Sequence, residues 1–382
     1  MTAENTAHWL FHHHTKFCNT HLRPDNCKHA QIWQTVHDLT SRSEGLLRSH
    51  PLGSSLEGRT IHQVTVGTGA TAVLLWSQMH GDETTATLAL CDILLFLVEQ
   101  RPLPGWAVHM LKALTVTMIP MLNPDGAERR QRHTAALIDM NRDALALRTP
   151  EAQILRQAQT SLRPSFALNL HDQGTSSVGH SSSVAALALL APPADREKTL
   201  TPSRASAMRL GAVIAGALRP FADGHLAAYD DTFEPRAFGD NMQAWGSATL
   251  LIESGQWPGD PEKNVVRKLN FTAILTALSA IADGSLSTVD RSIYDTLPQN
   301  GKRVYDLLIR NLELRHVSGW LQKVDLGFMR EAARGGALIL KEIGDLRAFG
   351  ALEVIEAGGK AADVSELRID EPADMDRLQN LA

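Results

Sequence analysis

Short apolar runs alternate with longer segments of helical spacing from about residue 60 onward. Each run is bounded by glycine, proline or polar residues, which is typical of a buried strand, and the alternation predicts an α/β domain. The predicted strands are IHQVTVG at 61–67, AVLLWSQ at 72–78, LTVTMIP at 114–120, FALNL at 166–170, VAALALLA at 184–191 and ATLLIE at 248–253.

Helical spacing fills the gaps between these strands. Residues 83–100 carry apolar side chains on more than one face, which predicts a helix packed deeply against the sheet. Thr149 precedes Pro150, a pair favoured at a helix start because threonine caps free N–H groups and proline tolerates the first helical position. Two more helices are predicted at about 203–221 and about 261–282, the second with Pro261 in its first turn.

The pattern becomes weaker and more mixed beyond residue 283. A polar connector leads to VYDLLIRNLEL at 304–314, which predicts an amphipathic helix, then to two strands, ALILKEI and ALEVIEA, and an acidic tail predicted as disordered. At 382 residues the chain also exceeds the roughly 250–300 residues at which single cores stop growing. We therefore predict a His-rich arm or helical extension at 1–50, a main domain at 51–285 and a small C-terminal α+β appendage at 286–382.

Composition and charge narrow the kinds of partner. A net charge of −5 leaves no basic surface for nucleic acid, which is therefore excluded as a partner. No apolar run reaches membrane-spanning length, and the start MTAENTAHWLFHHHTKF lacks the features of a secretory signal. Cys18, Cys27 and Cys91 are too few for a disulfide framework and suit a reducing compartment. We expect a cytoplasmic protein with no membrane partner, and self-association stays open.

Eight of the sixteen histidines lie in the first 50 residues, among them His12, His13 and His14, close to Cys18 and Cys27. This clustering raises the question of a metal site, but the spacing fits no compact four-ligand zinc pattern. We predict a polar, partly ordered arm, with a second structural or adventitious metal site as the alternative.

Two predicted strands lead into residues that could bind one metal ion. His80 and Glu83 lie three residues apart where the strand at 72–78 gives way to a helix. A hydrolytic zinc usually takes two imidazoles and one carboxylate, leaving a fourth position for water. His171 also follows an apolar strand, and α/β sheets collect functional groups beyond the carboxyl ends of their strands. We predict that His80, Glu83 and His171 hold one Zn²⁺ ion.

Glu253 ends the strongly apolar strand ATLLIE, where an unpaired carboxylate is costly to bury without a partner or a function. Its predicted partner is a zinc-bound water molecule. A carboxylate in this position can take the proton of that water and hand it to the leaving nitrogen, which makes Glu253 the candidate general base. The structural alternative is a carboxylate held in a salt bridge at the edge of the sheet.

Five landmarks occur in order between about residues 53 and 283, and together they resemble the carboxypeptidase A family of zinc carboxypeptidases. The landmarks are SLEGRTIHQVTVG at 55–67, HGDE at 80–83, NPDGAERRQR at 123–132 leading to IDMNRD at 138–143, NLHDQ at 169–173 and LLIESG at 250–255. The resemblance implies a mixed central sheet flanked by helices. It also implies a zinc metallocarboxypeptidase, which is a hydrolase acting on peptide bonds.

The resemblance further implies a role for each matching residue. The positions that match His80, Glu83 and His171 bind zinc in that family, and the position that matches Glu253 is the general base.

Three more residues carry over from the resemblance. Asn141 and Arg142 look like the pair that holds the free C-terminal carboxylate of a substrate, a task suited to the guanidinium fork. Arg132 aligns best with the arginine that stabilises the oxyanion, and the two neighbouring arginines are alternative registers. NPDG at 123–126 is expected to form a turn that shapes the loop presenting Arg132.

The match weakens upstream of Glu253. Tyr229 is the only tyrosine near the family's mobile tyrosine, which makes it a candidate lid residue in a segment unlike the digestive enzymes. Phe238 and Asp240 lie where the family places its specificity pocket, as an apolar lining and as a partner for a basic group, and both also fit an ordinary turn. Asp82 stands where digestive members carry arginine, which favours a short or unusual substrate.

The function expected first is hydrolysis of a C-terminal peptide or amide bond, in a peptide or amino-acid amide that has a free carboxylate. The alternative is a zinc amidase or deacylase that acts on cell-wall peptides or N-acyl amino acids. A non-catalytic binding module on the same scaffold ranks last, because every expected catalytic residue is present.

Overall fold

The computed structural model describes residues 2–331 and 336–373 of the chain. Its helices are α1 (Ala3–His13), α2 (His29–Arg42), α3 (Thr85–Glu99), α4 (Gly105–Ala113), α5 (Pro124–Arg129), α6 (Pro150–Leu162), α7 (Pro202–Ala222), α8 (Phe238–Ala244), α9 (Asn264–Asp283) and α10 (Ser292–Asp295). Its strands are β1 (Arg48–Ser54), β2 (Thr60–Val66), β3 (Thr71–Ser77), β4 (Leu114–Ile119), β5 (Phe166–Asp172), β6 (Ser177–Val178), β7 (Leu187–Leu190), β8 (Leu226–Ala228), β9 (Ala248–Ser254), β10 (Asn300–Gly301), β11 (Val304–Arg315), β12 (Leu321–Glu331), β13 (Ala337–Gly344), β14 (Gly350–Glu356) and β15 (Ala361–Asp363).

A sheet of eight strands, in the order β1-β2-β4-β3-β5-β9-β7-β8, forms the centre of the fold. Strands β4, β3, β5 and β9 run parallel, whereas β2 and β7 join this block in the antiparallel direction. All six predicted strands are found in this sheet, with the one at 184–191 shortened to Leu187–Leu190. The predicted mixed central sheet flanked by helices is therefore confirmed.

Helices cover both faces of this sheet. Leu168 and Leu170 of β5 belong to the largest core cluster, which also contains side chains of α3, α7 and α9. Ala167 and Trp76 belong to a second cluster on the opposite face, together with side chains of α6 and α8. Because side chains alternate along a strand, His171 lies on the same face as Ala167. We call this side of the sheet the α6/α8 face.

The helices predicted in the main domain are present, with one correction. Thr149 Oγ1 accepts the N–H of Ala152 at 3.2 Å, as expected of the cap of α6. Helix α9 begins at Asn264 and not at Pro261, because Lys263 has a left-handed φ of 56° that interrupts the helical path. Helix α9 is also long and apolar enough to cross a membrane, a property that the sequence analysis did not identify. However, 83% of its most apolar 18-residue segment is buried inside the protein.

A buried charge network joins the N-terminal segment to helices α3 and α9. The carboxylate of Asp92 in α3 accepts from Nε and Nη2 of Arg267 in α9, at 2.7 and 2.5 Å, and from the N–H of Asn19 at 2.8 Å. His14 Nε2 lies 2.9 Å from the same carboxylate. His14, Cys18 and Asp92 offer possible ligand atoms within 4.8 Å of one another. The guanidinium of Arg267 is already paired with Asp92 and would repel a metal ion. We therefore interpret the cluster as a buried ion pair, which we call the Asp92–Arg267 anchor.

The C-terminal strands form a second sheet in the order β13-β12-β11-β14, with β15 paired to the far end of β11. The two strands predicted here are confirmed as β13 and β14, but the helix predicted at 304–314 is wrong, because this segment is strand β11. The part of the predicted tail beyond residue 373 lies outside the described residues.

The reason for this error lies in the geometry of β11. Its register with β12 shifts between Ile309 and Leu312, where Asn311 adopts a φ of 57° and forms a bulge. The strand is also buried on two sides, since Ile309 and Leu312 enter one core cluster while Tyr305 and Leu308 enter another. Burial on both sides removes the alternation of a strand, and the bulge spaces the remaining apolar positions as in a helix.

Replacing Asp92 with alanine should lower the free energy of unfolding by about 3–5 kcal/mol, because the change leaves the buried guanidinium of Arg267 without its carboxylate. Chemical denaturation measures this loss. The matched control is Asp223→Ala, which breaks an Arg–Asp pair with Arg219 whose side chains are mostly exposed and should leave the denaturation midpoint near wild type. Equal losses of unfolding free energy in the two variants would contradict a stabilising role of the Asp92–Arg267 pair.

Candidate metal centre and active site

Three side chains converge where strands β3 and β5 end at the same edge of the sheet. His80 and Glu83 lie in the connection from β3 to α3, and His171 is the penultimate residue of β5. The Nδ1 atoms of His80 and His171 lie 2.6 Å from Glu83 Oε1 and Oε2 respectively. Possible ligand atoms of the three residues all lie within 4.8 Å of one another. The structure thus brings the three predicted metal ligands together.

The charges of these three buried residues depend on one another. Burial alone raises the pKa of Glu83, but the two imidazoles outweigh it and hold this pKa below its usual range. Burial also disfavours the charged form of His80, yet Glu83 and Asp139 prevail and raise the pKa of His80 to about 9. For His171 burial is the larger effect and lowers the pKa. These charges therefore favour the protonated form of His80 at neutral pH.

Asp139, to which the sequence analysis assigned no role, lies beside the three predicted ligands and contacts His80. Its Oδ1 lies 3.1 Å from His80 Nε2 and accepts the N–H of Asn141 at 2.9 Å. Its Oδ2 accepts from Arg132 Nε at 3.1 Å, and Arg132 Nη1 lies 3.5 Å from Glu83 Oε1. A histidine whose second nitrogen meets a carboxylate has a fixed ring orientation, which is usual for metal-bound imidazoles. Asp139 therefore orients His80.

Glu253 lies beside His171 on the neighbouring strand. Strands β5 and β9 pair in parallel with His171 opposite Glu253, so both side chains point to the α6/α8 face. The residue is only 6% exposed, and burial, reinforced by the negative charge of Glu83, raises the pKa of Glu253 well above its usual range. Within the described ranges Glu253 forms no salt bridge. The alternative of a carboxylate held in a salt bridge at the edge of the sheet therefore has no support.

The NPDG segment begins helix α5, where the sequence predicted a turn. Asn123 caps this helix by accepting the N–H of Gly126 at 2.9 Å. Its Nδ2 donates to the carbonyl oxygens of Met79 and Arg132, at 3.2 and 3.4 Å. The segment therefore ties the backbone of Arg132 to the residue that precedes His80.

Asn141 and Arg142 lie together on a short 3₁₀ turn. Asn141 Oδ1 accepts the backbone N–H of Phe238 at 2.9 Å, which fixes Asn141 to the start of α8. Arg142 is partly exposed, and its Nε lies 3.3 Å from Glu234 Oε2, a carboxylate that also binds Arg236. The guanidinium of Arg142 is thus accessible and already contacts a carboxylate.

The remaining predicted substrate contacts occupy different environments. Tyr229 directly follows β8, and the charge of Glu253, together with burial, raises the pKa of its phenol to about 12. Phe238 is fully buried in the cluster on the α6/α8 face, so its side chain lines the core, and a pocket wall at this position stays a prediction. Asp240 accepts the N–H of Glu234 at 3.1 Å, and burial raises its pKa to about 6.

Zinc uptake should become tighter as the pH rises towards 9. Below a pKa of about 9 His80 of the metal-free protein is protonated, and binding requires the neutral imidazole, so the metal must displace this proton. Between roughly pH 6 and 8 the apparent Kd should fall about tenfold per pH unit, as competition with a chelator of known affinity would measure. Asp139→Asn removes one charge that raises the pKa of His80, so its Kd should level off at lower pH. A pH-independent Kd would exclude this account.

Comparison with known proteins agrees with this geometry. Residues 32–156 match the model of the zinc carboxypeptidase family. Carboxypeptidase 2 of Trichophyton equinum is 26% identical over 151 residues, which are 37% of this chain and 26% of that protein. The chain therefore spans about a quarter of the length of the curated relatives it matches.

Solved structures resemble the chain over about two thirds of its length. A metallo-carboxypeptidase from Burkholderia cenocepacia gives a TM-score of 0.53 at 16% identity and covers 66% of this chain and 68% of its own. Carboxypeptidase A from Helicoverpa armigera gives 0.51 at 15% identity and covers 65% and 71%. At such identities the likeness concerns the fold alone. Residues 32–156 thus match the zinc carboxypeptidase family, and the chain has the fold of carboxypeptidase A.

Proposed function

We propose that this protein is a zinc-dependent carboxypeptidase that hydrolyses the C-terminal bond of a peptide or amino-acid amide with a free carboxylate. The observation that carries the proposal is the convergence of two imidazole nitrogens on both oxygens of Glu83, beside the buried carboxylate of Glu253. Two imidazoles and one carboxylate are the usual protein ligands of a hydrolytic zinc. The family match of residues 32–156 supports the same chemistry.

The proposed metal ligands are His80 and His171, through Nδ1, and the carboxylate of Glu83. Zinc held by these three residues would lower the pKa of the attacking water molecule and polarise the carbonyl group of the bond to be cut. Asp139 keeps the ring of His80 turned so that Nδ1 faces the site.

In the proposed mechanism Glu253 is the general base. It takes a proton from the attacking water molecule and gives it to the leaving nitrogen. Burial and the negative charge of Glu83 raise the pKa of Glu253. A cation held by Glu83 would offset that charge and favour the carboxylate form that catalysis requires.

Arg132 and Arg142 are proposed to bind two different charged groups of the substrate. Arg132, oriented by its hydrogen bond to Asp139, receives the oxyanion that forms when water attacks the carbonyl. Arg142 binds the terminal carboxylate in place of Glu234, and Asn141, whose Oδ1 is already occupied, offers its Nδ2 to the same group.

Residues around α8 are proposed to contact the terminal residue of the substrate. Tyr229 keeps its phenol proton at neutral pH, since its pKa is raised to about 12, and can donate a hydrogen bond when its segment closes. Asp240, with a pKa of about 6, is mostly charged at neutral pH and can meet a basic group. Phe238 anchors the start of α8, the helix that carries Asp240, through its place in the core.

A zinc amidase or deacylase is the second candidate function. Asp82, which lies between the ligands His80 and Glu83, stands where digestive carboxypeptidases carry arginine, and this difference favours a substrate other than an extended peptide. Such an enzyme uses the same metal ligands and the same base, so only the substrate distinguishes the two candidates.

Glu253→Gln should keep zinc and lose turnover. The amide is close in size to the carboxylate but cannot take a proton, so kcat should fall by about 10²–10⁴-fold while zinc content stays near one ion per chain. Metal analysis and steady-state kinetics check both statements. Removing zinc from the wild type with a chelator should abolish activity, and adding zinc should restore it. Full turnover by Glu253→Gln would disprove the mechanism.

Arg142→Ala should raise KM for substrates with a free terminal carboxylate by about 10- to 100-fold, because a charged hydrogen bond is lost. Carboxamide-blocked analogues measure whether that carboxylate is required, and N-acyl amino acids assayed in the same panel test the deacylase alternative. Arg236→Ala is the matched control, since it removes the other arginine bound to Glu234 and should leave KM near wild type. If the wild type cleaves carboxamide-blocked peptides and free-carboxylate peptides equally well, the amidase hypothesis is favoured.

A further inference from the structure

The C-terminal unit, which comprises strands β10–β15, contacts the loop that follows His171, a proposed metal ligand. The two residues of β10 pair in the antiparallel direction with the two residues of β6, and the N–H of Gly179 donates to the carbonyl of Gln299 at 2.7 Å. Gly350 packs so closely that a Cβ atom there would lie 2.0 Å from the carbonyl oxygen of Ser182. The loop between β5 and β7 is therefore held between the two sheets.

Asp306 of β11 adds a side-chain link to the same loop. Its Oδ1 accepts from Thr175 Oγ1 at 2.5 Å, and its Oδ2 accepts the backbone N–H of Arg330 at 2.5 Å. Asp306 is only 9% exposed, and Thr175 is half-buried. One carboxylate thus joins the second sheet to a residue only four positions beyond His171.

Gln173 lies on the same sheet face as the catalytic pair His171 and Glu253. The N–H of Gln173 donates to the carbonyl of Ser254 at 2.9 Å and continues the pairing of β5 with β9. Because side chains alternate, Gln173 follows His171 on the α6/α8 face as Gly255 follows Glu253. A Cβ atom on Gly255 would lie 3.1 Å from Gln173 Nε2, so the amide of Gln173 lies over this glycine.

The amide of Gln173 is held on one side and unpaired on the other. Asn300 Nδ2 donates to Gln173 Oε1 at 2.5 Å. Gln173 is only 9% exposed, yet among the described residues its Nε2 has no hydrogen-bond partner. A buried amide donor without a partner is unfavourable unless water or a ligand takes the hydrogen bond.

The position of Gln173 decides which part of a substrate reaches it. Asn141 is bound to the start of α8, where a Cβ atom on Gly239 would lie 3.4 Å from Nδ2 of Asn169. Asn169 precedes His171 on the α6/α8 face, whereas Gln173 follows it. The residues proposed to bind the terminal carboxylate therefore lie on one side of His171, and Gln173 lies on the other, where the acyl part of the substrate extends.

We propose that Gln173 determines specificity by donating a hydrogen bond from Nε2 to a carbonyl oxygen on the acyl side of the bond that is cut, and that Asn300 is its positioning residue. This inference rests on the carboxypeptidase function proposed above. The C-terminal unit then forms one wall of the substrate site, and the enzyme favours substrates with an amide carbonyl on the acyl side.

The test uses the full-length, zinc-loaded protein and two substrates with the same C-terminal amino acid. One substrate carries a benzoylglycyl group, and the other carries a 4-phenylbutanoyl group of equal length that lacks the second carbonyl. Wild type should show a KM roughly 3- to 10-fold lower for the benzoylglycyl substrate, the range of one neutral hydrogen bond. Gln173→Leu and Asn300→Ala should both lose this preference, with kcat and zinc content near wild type.

Two controls separate positioning from a general loss of structure. Arg347→Ala alters an exposed ion pair with Asp345 on the same C-terminal unit and should keep the preference. The double variant Gln173→Leu/Asn300→Ala should be no worse than either single variant, because both remove one interaction. Should Asn300→Ala fail to fold, the isosteric Asn300→Asp removes the same donor, and the Gln173 amide must then turn its Oε1 towards the substrate.

The outcomes distinguish this inference from the function on which it rests. A wild type that cleaves both substrates without preference, or a Gln173→Leu variant that keeps the preference, overturns the role of Gln173 and leaves the carboxypeptidase function intact. Loss of preference in Gln173→Leu alone overturns the role of Asn300. A zinc-loaded wild type that cleaves neither substrate refutes the proposed function, and this inference with it.

Discussion

The carboxylate of Glu83, buried between two histidine rings, is the interaction around which the rest of the site is arranged. A carboxylate removed from water is stable only when charged or hydrogen-bonded groups surround it, and His80 and His171 provide these contacts at 2.6 Å each. Asp139 and Arg132 then extend the network to the protein surface. Charges of opposite sign therefore alternate from the core outward, and each fixes the orientation of the next.

The parallel strands bring these groups together. Strands β3, β5 and β9 end at one edge of the sheet, which places His80, His171 and Glu253 side by side although 173 residues separate the first from the last. The register of β5 with β9 sets His171 directly opposite Glu253, and both point away from the larger core cluster. A slip of one residue would turn Glu253 towards that core, so the apolar side chains on the opposite face keep His171 and Glu253 in register.

Segments outside the central sheet stabilise the site from different directions. At the N-terminus, Asp92 and Arg267 join the early helices to α3 and α9 by a buried ion pair. At the C-terminus, Asn300 and Asp306 hold the loop that follows His171. The first connection fixes helices that pack against the sheet, whereas the second holds residues two and four positions beyond His171.

The sequence by itself determined most of the central sheet and the candidate metal ligands. The apolar runs predicted six of its eight strands, and the strand ends indicated His80, Glu83 and His171, because burial and strand length are properties of local sequence. Only the tertiary structure revealed β11 as a strand, since its bulge at Asn311 and its burial on two sides depend on the neighbouring strands.

The tertiary structure likewise decided the supporting contacts. Nothing in the local pattern distinguishes Asp139 from other acidic residues, and its role follows from a distance of 3.1 Å to a histidine 59 positions earlier. Gln173 is similar, because the group that holds it, Asn300, is 127 positions away. Local sequence decides which residues can be buried or can bind a metal, whereas hydrogen bonds between distant segments exist only after the chain has folded.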